Sequence, residues 1–102
     1  MQPEIKYLGT DKLDEFELSE LQSLCNRHLK KLESMLTPIS PLFKVHVKVT
    51  NAEGRQKNFL IKLTLTSPEL NLSAEQSDWD LKRTFHKVYE NIANQAKKKL
   101  KL

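Results

Sequence analysis

Two strictly alternating runs constrain this chain more than any other feature. Phe43, Val45, Val47 and Val49 alternate with Lys44, His46, Lys48 and Thr50, and Phe59, Ile61, Leu63 and Leu65 repeat the pattern. Residues two apart share one face of a strand, so each run has an apolar side and a polar side. The β-branched content and the two-residue period both oppose a helix here. Asn51-Ala52-Glu53-Gly54 between the runs is turn chemistry, so they pair as a β-hairpin with a long tip. Such a hairpin is stable only when another layer covers its apolar face.

Two amphipathic helices are available as that layer. From near Glu17, Leu18, Leu21, Cys25, His28, Leu29, Leu32, Met35 and Leu36 fall on one helical arc. Ser19 with Gln22 has capping-box spacing, and Asp14 is an equally plausible cap. Pro38 and Pro41 end this helix because proline lacks the N–H that continues the ladder. A second helix is expected from Ser77 to about Lys99, with Leu81, Phe85, Val88, Tyr89, Ile92 and Ala96 on its apolar arc. Asp78 and Asp80 suit the positive end of its dipole, and Lys97, Lys98 and Lys99 the negative end. Trp79 is expected to close the start of this helix by packing on the core, with an exposed partner contact as the alternative. Pro3 to Leu8, ending at Gly9, reads as a first strand, and Leu70, Leu72 and Ala74, after Ser67-Pro68, as a short last one. The order is β-α-β-β-β-α. This predicts an α+β fold, a four-stranded sheet with both helices on one face, forming a single domain over residues 1–102.

Composition excludes several classes. A length of 102 residues with 38% hydrophobic content supplies one core and no second. The longest apolar run, Phe59-Leu60-Ile61, is far short of the roughly 20 residues of a membrane span. Met1-Gln2-Pro3-Glu4-Ile5-Lys6 lacks the basic and apolar blocks of a signal peptide. The single cysteine, Cys25, has no internal disulfide partner, which fits a reducing compartment, and a cytoplasmic protein is expected. Cys25 and His28 can share a helix face, but a zinc site normally needs four ligands and no second pair follows. A nucleophilic Cys–His pair would lack a third, orienting group. With no P-loop, dinucleotide fingerprint or paired-carboxylate motif, the chain is expected to be no enzyme and to need no metal or cofactor.

Charge is distributed unevenly. Lys and Arg number 17 against 13 Asp and Glu, a net +4. Residues 1–20 hold six acids against Lys6 and Lys12, whereas residues 78–102 hold seven bases against three acids and so carry the whole excess. Clustered bases are the footprint of a polyanionic partner. On the second helix Arg83, Lys87, Asn94, Lys98 and Lys101 lie opposite the apolar arc; on the first, Arg27 and Lys30 do so, with Lys31 on the flank. With Lys82 and Lys97 the cations among these form the candidate set for a polyanion such as RNA, with a solvated basic surface as the alternative: Arg27, Lys30, Lys31, Lys82, Arg83, Lys87, Lys97, Lys98 and Lys101. The run from Lys97 to Lys101 is open to two readings, a solvated tail or a phosphate contact. His46, with Lys44 and Lys48, reads as a solvated strand face, with RNA contact as the alternative. The charged outer faces offer no evident apolar patch, so a monomer is expected.

One stretch carries a family resemblance. Ser73-Ala74-Glu75, a short acidic turn, Asp80-Leu81-Lys82-Arg83-Thr84-Phe85 and Gln95-Ala96-Lys97-Lys98 resemble the end of the ribosome hibernation-promoting factors. Lys31-Leu32-Glu33 near the end of the first helix and the β-α-β-β-β-α order are similar too. His86 after Phe85, Glu90-Asn91 and Asn94 depart from that pattern. The resemblance implies binding to the small (30S) ribosomal subunit and its 16S rRNA in the decoding channel, with inhibition of translation under stress or in stationary phase. A chain ending at Leu102 would be a short form. Two other readings stand beside it. A double-stranded RNA-binding module also packs two helices on one sheet face but wants a basic start to its last helix, where Asp78 and Asp80 stand. A protein-interaction domain would use the open sheet face, its basic helices serving solubility.

Overall fold

A computed structural model of the chain describes residues 4–51 and 56–101. The strands are β1 (Glu4–Leu8), β2 (Leu42–Asn51), β3 (Lys57–Thr66) and β4 (Asn71–Asp78), and the helices are α1 (Glu15–Met35) and α2 (Leu81–Leu100). They form one sheet in the order β1-β2-β3-β4, with β1 parallel to β2 and the other pairs antiparallel. The α+β reading and the β-α-β-β-β-α order hold. The Asn51–Gly54 turn lies, from Ala52 on, outside the described residues, as does Pro3 of the first strand.

The two alternating runs pair in the register their pattern requires. Phe43 faces Leu65, Val45 faces Leu63 and Val47 faces Ile61, so the alternating apolar side chains of the hairpin lie on one side. Ile5 and Tyr7 of β1 extend this face beside Phe43 and Val45, and Leu72 and Ala74 of β4 complete it. Leu21, Leu24, Cys25, Leu29 and Leu32 of α1 and Leu81, Phe85, Val88, Ile92 and Ala96 of α2 are buried against it in one core cluster. Lys48 and Lys62, on the other parity, remain exposed.

Asp14 is the cap of α1. Its carboxylate accepts the Glu17 N–H at 2.7 Å while the Glu17 carboxylate accepts the Asp14 N–H at 3.0 Å, a reciprocal capping box. The helix therefore begins at Glu15, two residues before the expected start. Glu17 also binds Lys57 at 3.2 Å, which ties the N-terminus of α1 to the start of β3. Gly9 adopts φ 75°, a left-handed conformation that turns the chain out of β1 and that side chains with a Cβ rarely adopt.

Four expectations need correction. The last strand does not end near Ala74 but runs to Asp78, because Glu75, Gln76, Ser77 and Asp78 pair with Lys62, Ile61, Leu60 and Phe59. Leu70 precedes it, buried in a turn where the Ser67 Oγ accepts the Leu70 N–H at 2.9 Å. Consequently α2 begins at Leu81 and not at Ser77, with the Asp80 carboxylate accepting the Arg83 N–H at 3.0 Å. Trp79 does not pack on the core: it sits at the bend between β4 and α2 and is 51% exposed, while Leu81 fills the first core position of the helix. Met35, counted on the α1 arc, is also exposed, since it lies toward α2 and away from the sheet.

Candidate nucleic-acid interface

Gln95 Nε2 donates to the Ser73 carbonyl at the start of β4, and Lys87 binds Asp78 at its end, so α2 runs antiparallel to β4. The Glu17–Lys57 pair orients α1 in the same way. Both helices thus start at one end of the sheet. Acids cluster there (Asp14, Glu15, Glu17, Asp78, Asp80), and Lys97, Lys98 and Lys99 close α2 at the other end, each sign opposing the helix dipole.

All nine cations of the expected set are exposed on the two-helix layer. Seven of them fall into three neighbourhoods. Arg27, Lys30 and Lys31 line the outer surface of α1 with Asn26 and Ser34. Lys87 and Lys98 line a cleft between α2 and β4 with Gln76, Asn91, Asn94 and Gln95. The third is the seam between the helices. Lys82 reaches one half of it beside Arg27, and Lys97 the other half beside His28, His86 and Tyr89. Lys101 caps the end of α2.

Two members of the set have an anionic partner within the protein. Lys87 Nζ donates to Asp78 at 2.7 Å, and Arg83 Nη1 lies 3.6 Å from the same carboxylate. The Lys87 hydrogen bond, helped by the Trp79 N–H and the Arg83 charge, holds Asp78 below the usual carboxylate range. The other seven form no ion pair among the described residues, so their charge is directed to solvent.

The seam has an aromatic floor. His28 lies 5.2 Å from His86, edge to face, and 5.1 Å and 5.7 Å from the rings of Tyr89 and Phe85. His28 Nε2 is buried without a hydrogen-bond partner. Burial, and then the His86, Arg27 and Lys31 charges, lower the pKa of this imidazole below 6.5, so it is neutral at pH 7. The Cys25–His28 spacing therefore splits in three dimensions: Cys25 points into the core and His28 into the seam. Burial pushes the Cys25 thiol up to about 12, which leaves it unreactive as a nucleophile at neutral pH. Among the described residues no three His, Cys, Asp or Glu side chains converge on a metal-sized site. Among the described residues no helix is long and apolar enough to cross a membrane.

Sequence reasoning singled out neither Phe16 nor Lys62. Phe16 is 81% exposed on α1, and its position opposite the apolar arc was the available signal. Lys62 stands beside His46 on the open sheet face, with Lys6 paired to Lys44 on the same side. The alternation of β3 alone places Lys62 there. No family model matches the sequence, and no curated protein matches it at a significant level.

Proposed function

We propose that this protein binds structured RNA through its helix layer and acts as a ribosome hibernation factor, occupying 16S rRNA of the small subunit and inhibiting translation. The observation that carries the reading is the set of nine exposed cations on two parallel helices, seven of them without an anionic partner among the described residues. Long Lys and Arg stems let the charges reach phosphate without unpacking the core. Neutralising phosphates releases counterions, so affinity falls steeply with salt. The β-α-β-β-β-α order and the Ser73–Lys98 pattern support the ribosomal form of this reading over a general duplex-RNA binder. The open sheet displays no aromatic ladder, which disfavours base stacking there.

Co-sedimentation with purified 30S subunits, 50S subunits and free duplex RNA tests this. The expected result is salt-sensitive retention on 30S subunits and loss of in vitro translation at matching concentrations. Equal binding to free duplex RNA would favour the duplex-binding module, and retention on none of the three would refute an RNA function.

A further inference from the structure

We infer that the half of the α1–α2 seam nearest the helix starts is a groove for a short unpaired stretch of RNA. One base would lie on Phe16, and a phosphate two or three nucleotides along would lie between Arg27 and Lys82. The inference rests on the RNA reading and adds a ligand class to it. Ser19, Glu20, Ser23 and Arg27 follow Phe16 by three, four, seven and eleven residues, which places all five along one side of α1. Lys82 of α2 closes the row from across the seam, around a groove of about 290 Å³. That is at the small end of ligand-sized clefts, which run from roughly 300 Å³ upward.

Each component has a task that a short unpaired strand would use. An aromatic side chain left 81% exposed contributes little to the fold, yet it presents a flat face on which any base can stack. Arg27 and Lys82 make no ion pair among the described residues and border the same groove, so a phosphate between them would meet two free cations. Phe16 and Arg27 stand eleven residues apart on α1, about 16 Å at roughly 1.5 Å per residue, so a strand that stacks on one and meets the other with phosphate runs along the helix over two or three nucleotides. Glu20 also lies in the groove and makes no ion pair among the described residues. A carboxylate there repels phosphate but accepts from the exocyclic amino group of cytosine, which uracil lacks. The pocket is therefore expected to prefer cytosine to uracil.

The test is an amide-resolved NMR titration of the intact protein with single-stranded tetranucleotides rC4 and rU4, with a perfectly paired RNA duplex as control. Shifts at Phe16, Ser23, Arg27 and Lys82 are expected with rC4, and weaker binding with rU4. Phe16→Ala should weaken rC4 binding about fivefold or more, as loss of one base–aromatic stack implies. Phe16→Tyr should preserve it, and Glu20→Gln should shrink the cytosine preference. Binding of the duplex without rC4 shifts at these amides would overturn the pocket and leave the RNA reading standing. Binding of neither RNA, with 30S subunits also failing to retain the protein, would overturn both. Unchanged rC4 affinity in a folded Phe16→Ala variant would equally overturn the pocket.

Discussion

Replacing Phe85 with alanine probes how the helix layer is anchored. Phe85 is 1% exposed, lies nearly parallel to Tyr89 at 6.1 Å between ring centres, and contacts His28 across the seam at 5.7 Å. Burying a side chain of this size is worth about 1.5–3 kcal/mol in transfer alone. Any unfilled volume adds to that: if about 80 Å³ stayed open, roughly 24 cal/mol per Å³ would cost about 2 kcal/mol more. The total falls in the range of about 3–5 kcal/mol found for such truncations. Against a typical stability of about 5–15 kcal/mol this is a large fraction. At about 4–8 °C per kcal/mol, the midpoint of thermal unfolding should fall by roughly 12–40 °C. Far-UV circular dichroism during heating, with urea unfolding at 25 °C, measures both quantities. Phe85→Leu, which keeps most of the apolar volume, should lose less than half as much. A loss below about 1 kcal/mol for Phe85→Ala, with an unchanged urea m-value, would refute the packing argument.

Three further outcomes follow from individual side chains. Asp78→Asn should release Lys87 and Arg83 from their shared carboxylate, so RNA affinity measured by anisotropy at low salt should rise while thermal stability falls slightly; lower affinity in a folded variant would contradict this. His28 is held below its ordinary 6.5, so the folded state binds fewer protons there than the unfolded chain; its contribution to stability is complete above about 6.5 and is lost as pH falls from there through the lower folded value. The urea midpoint should therefore drop more between pH 7.5 and 5 in the parent than in His28→Phe, and equal drops would exclude His28 as the cause. Gly9→Ala forces a Cβ into a left-handed residue and against the Val47 carbonyl, so it should destabilise by more than about 1 kcal/mol in urea unfolding, and a neutral result would mean that the β1 turn relaxes freely.

The hairpin was readable residue by residue because its face is set by a period of two, and a one-residue slip would expose Phe43, Val45 and Ile61 together. The end of β4 was not readable. Gln76, Ser77 and Asp78 carry no apolar alternation, and only their pairing to β3 makes them strand, which in turn delays α2 to Leu81. Trp79 misled for a related reason: a large aromatic side chain implies burial, but the bend after Asp78 carries it out of the core. In the site, exposure of the basic residues was legible from the helical wheel, whereas their neighbours were not. Lys82 and Arg83 are adjacent in sequence, yet one enters the seam beside Arg27 and the other turns to Asp78. Which flank meets α1 depends on how α2 is rotated on the sheet, and no spacing encodes that. His28 shows the same limit, since its arc position fits the core as well as the seam it occupies.

The ion pairs at Asp78 also determine which substitutions test the central claim cleanly. Glutamate at Arg83 or Lys87 would stand against Asp78 and perturb the end of β4, whereas Arg27, Lys30 and Lys98 make no ion pair among the described residues. The decisive measurement is the salt dependence of 30S binding for the parent and for an Arg27→Glu, Lys30→Glu, Lys98→Glu variant whose fold is verified by circular dichroism. If these cations meet rRNA phosphates, the variant should bind more weakly and inhibit translation less. Its log–log salt slope should be flatter by about 0.7–0.9 for each phosphate no longer neutralised, or roughly 2–3 in all. A folded variant that keeps the parent's affinity, slope and inhibition would contradict the helix-layer account and move the RNA-binding surface to the open sheet face of Lys6, Lys44, Lys48 and Lys62.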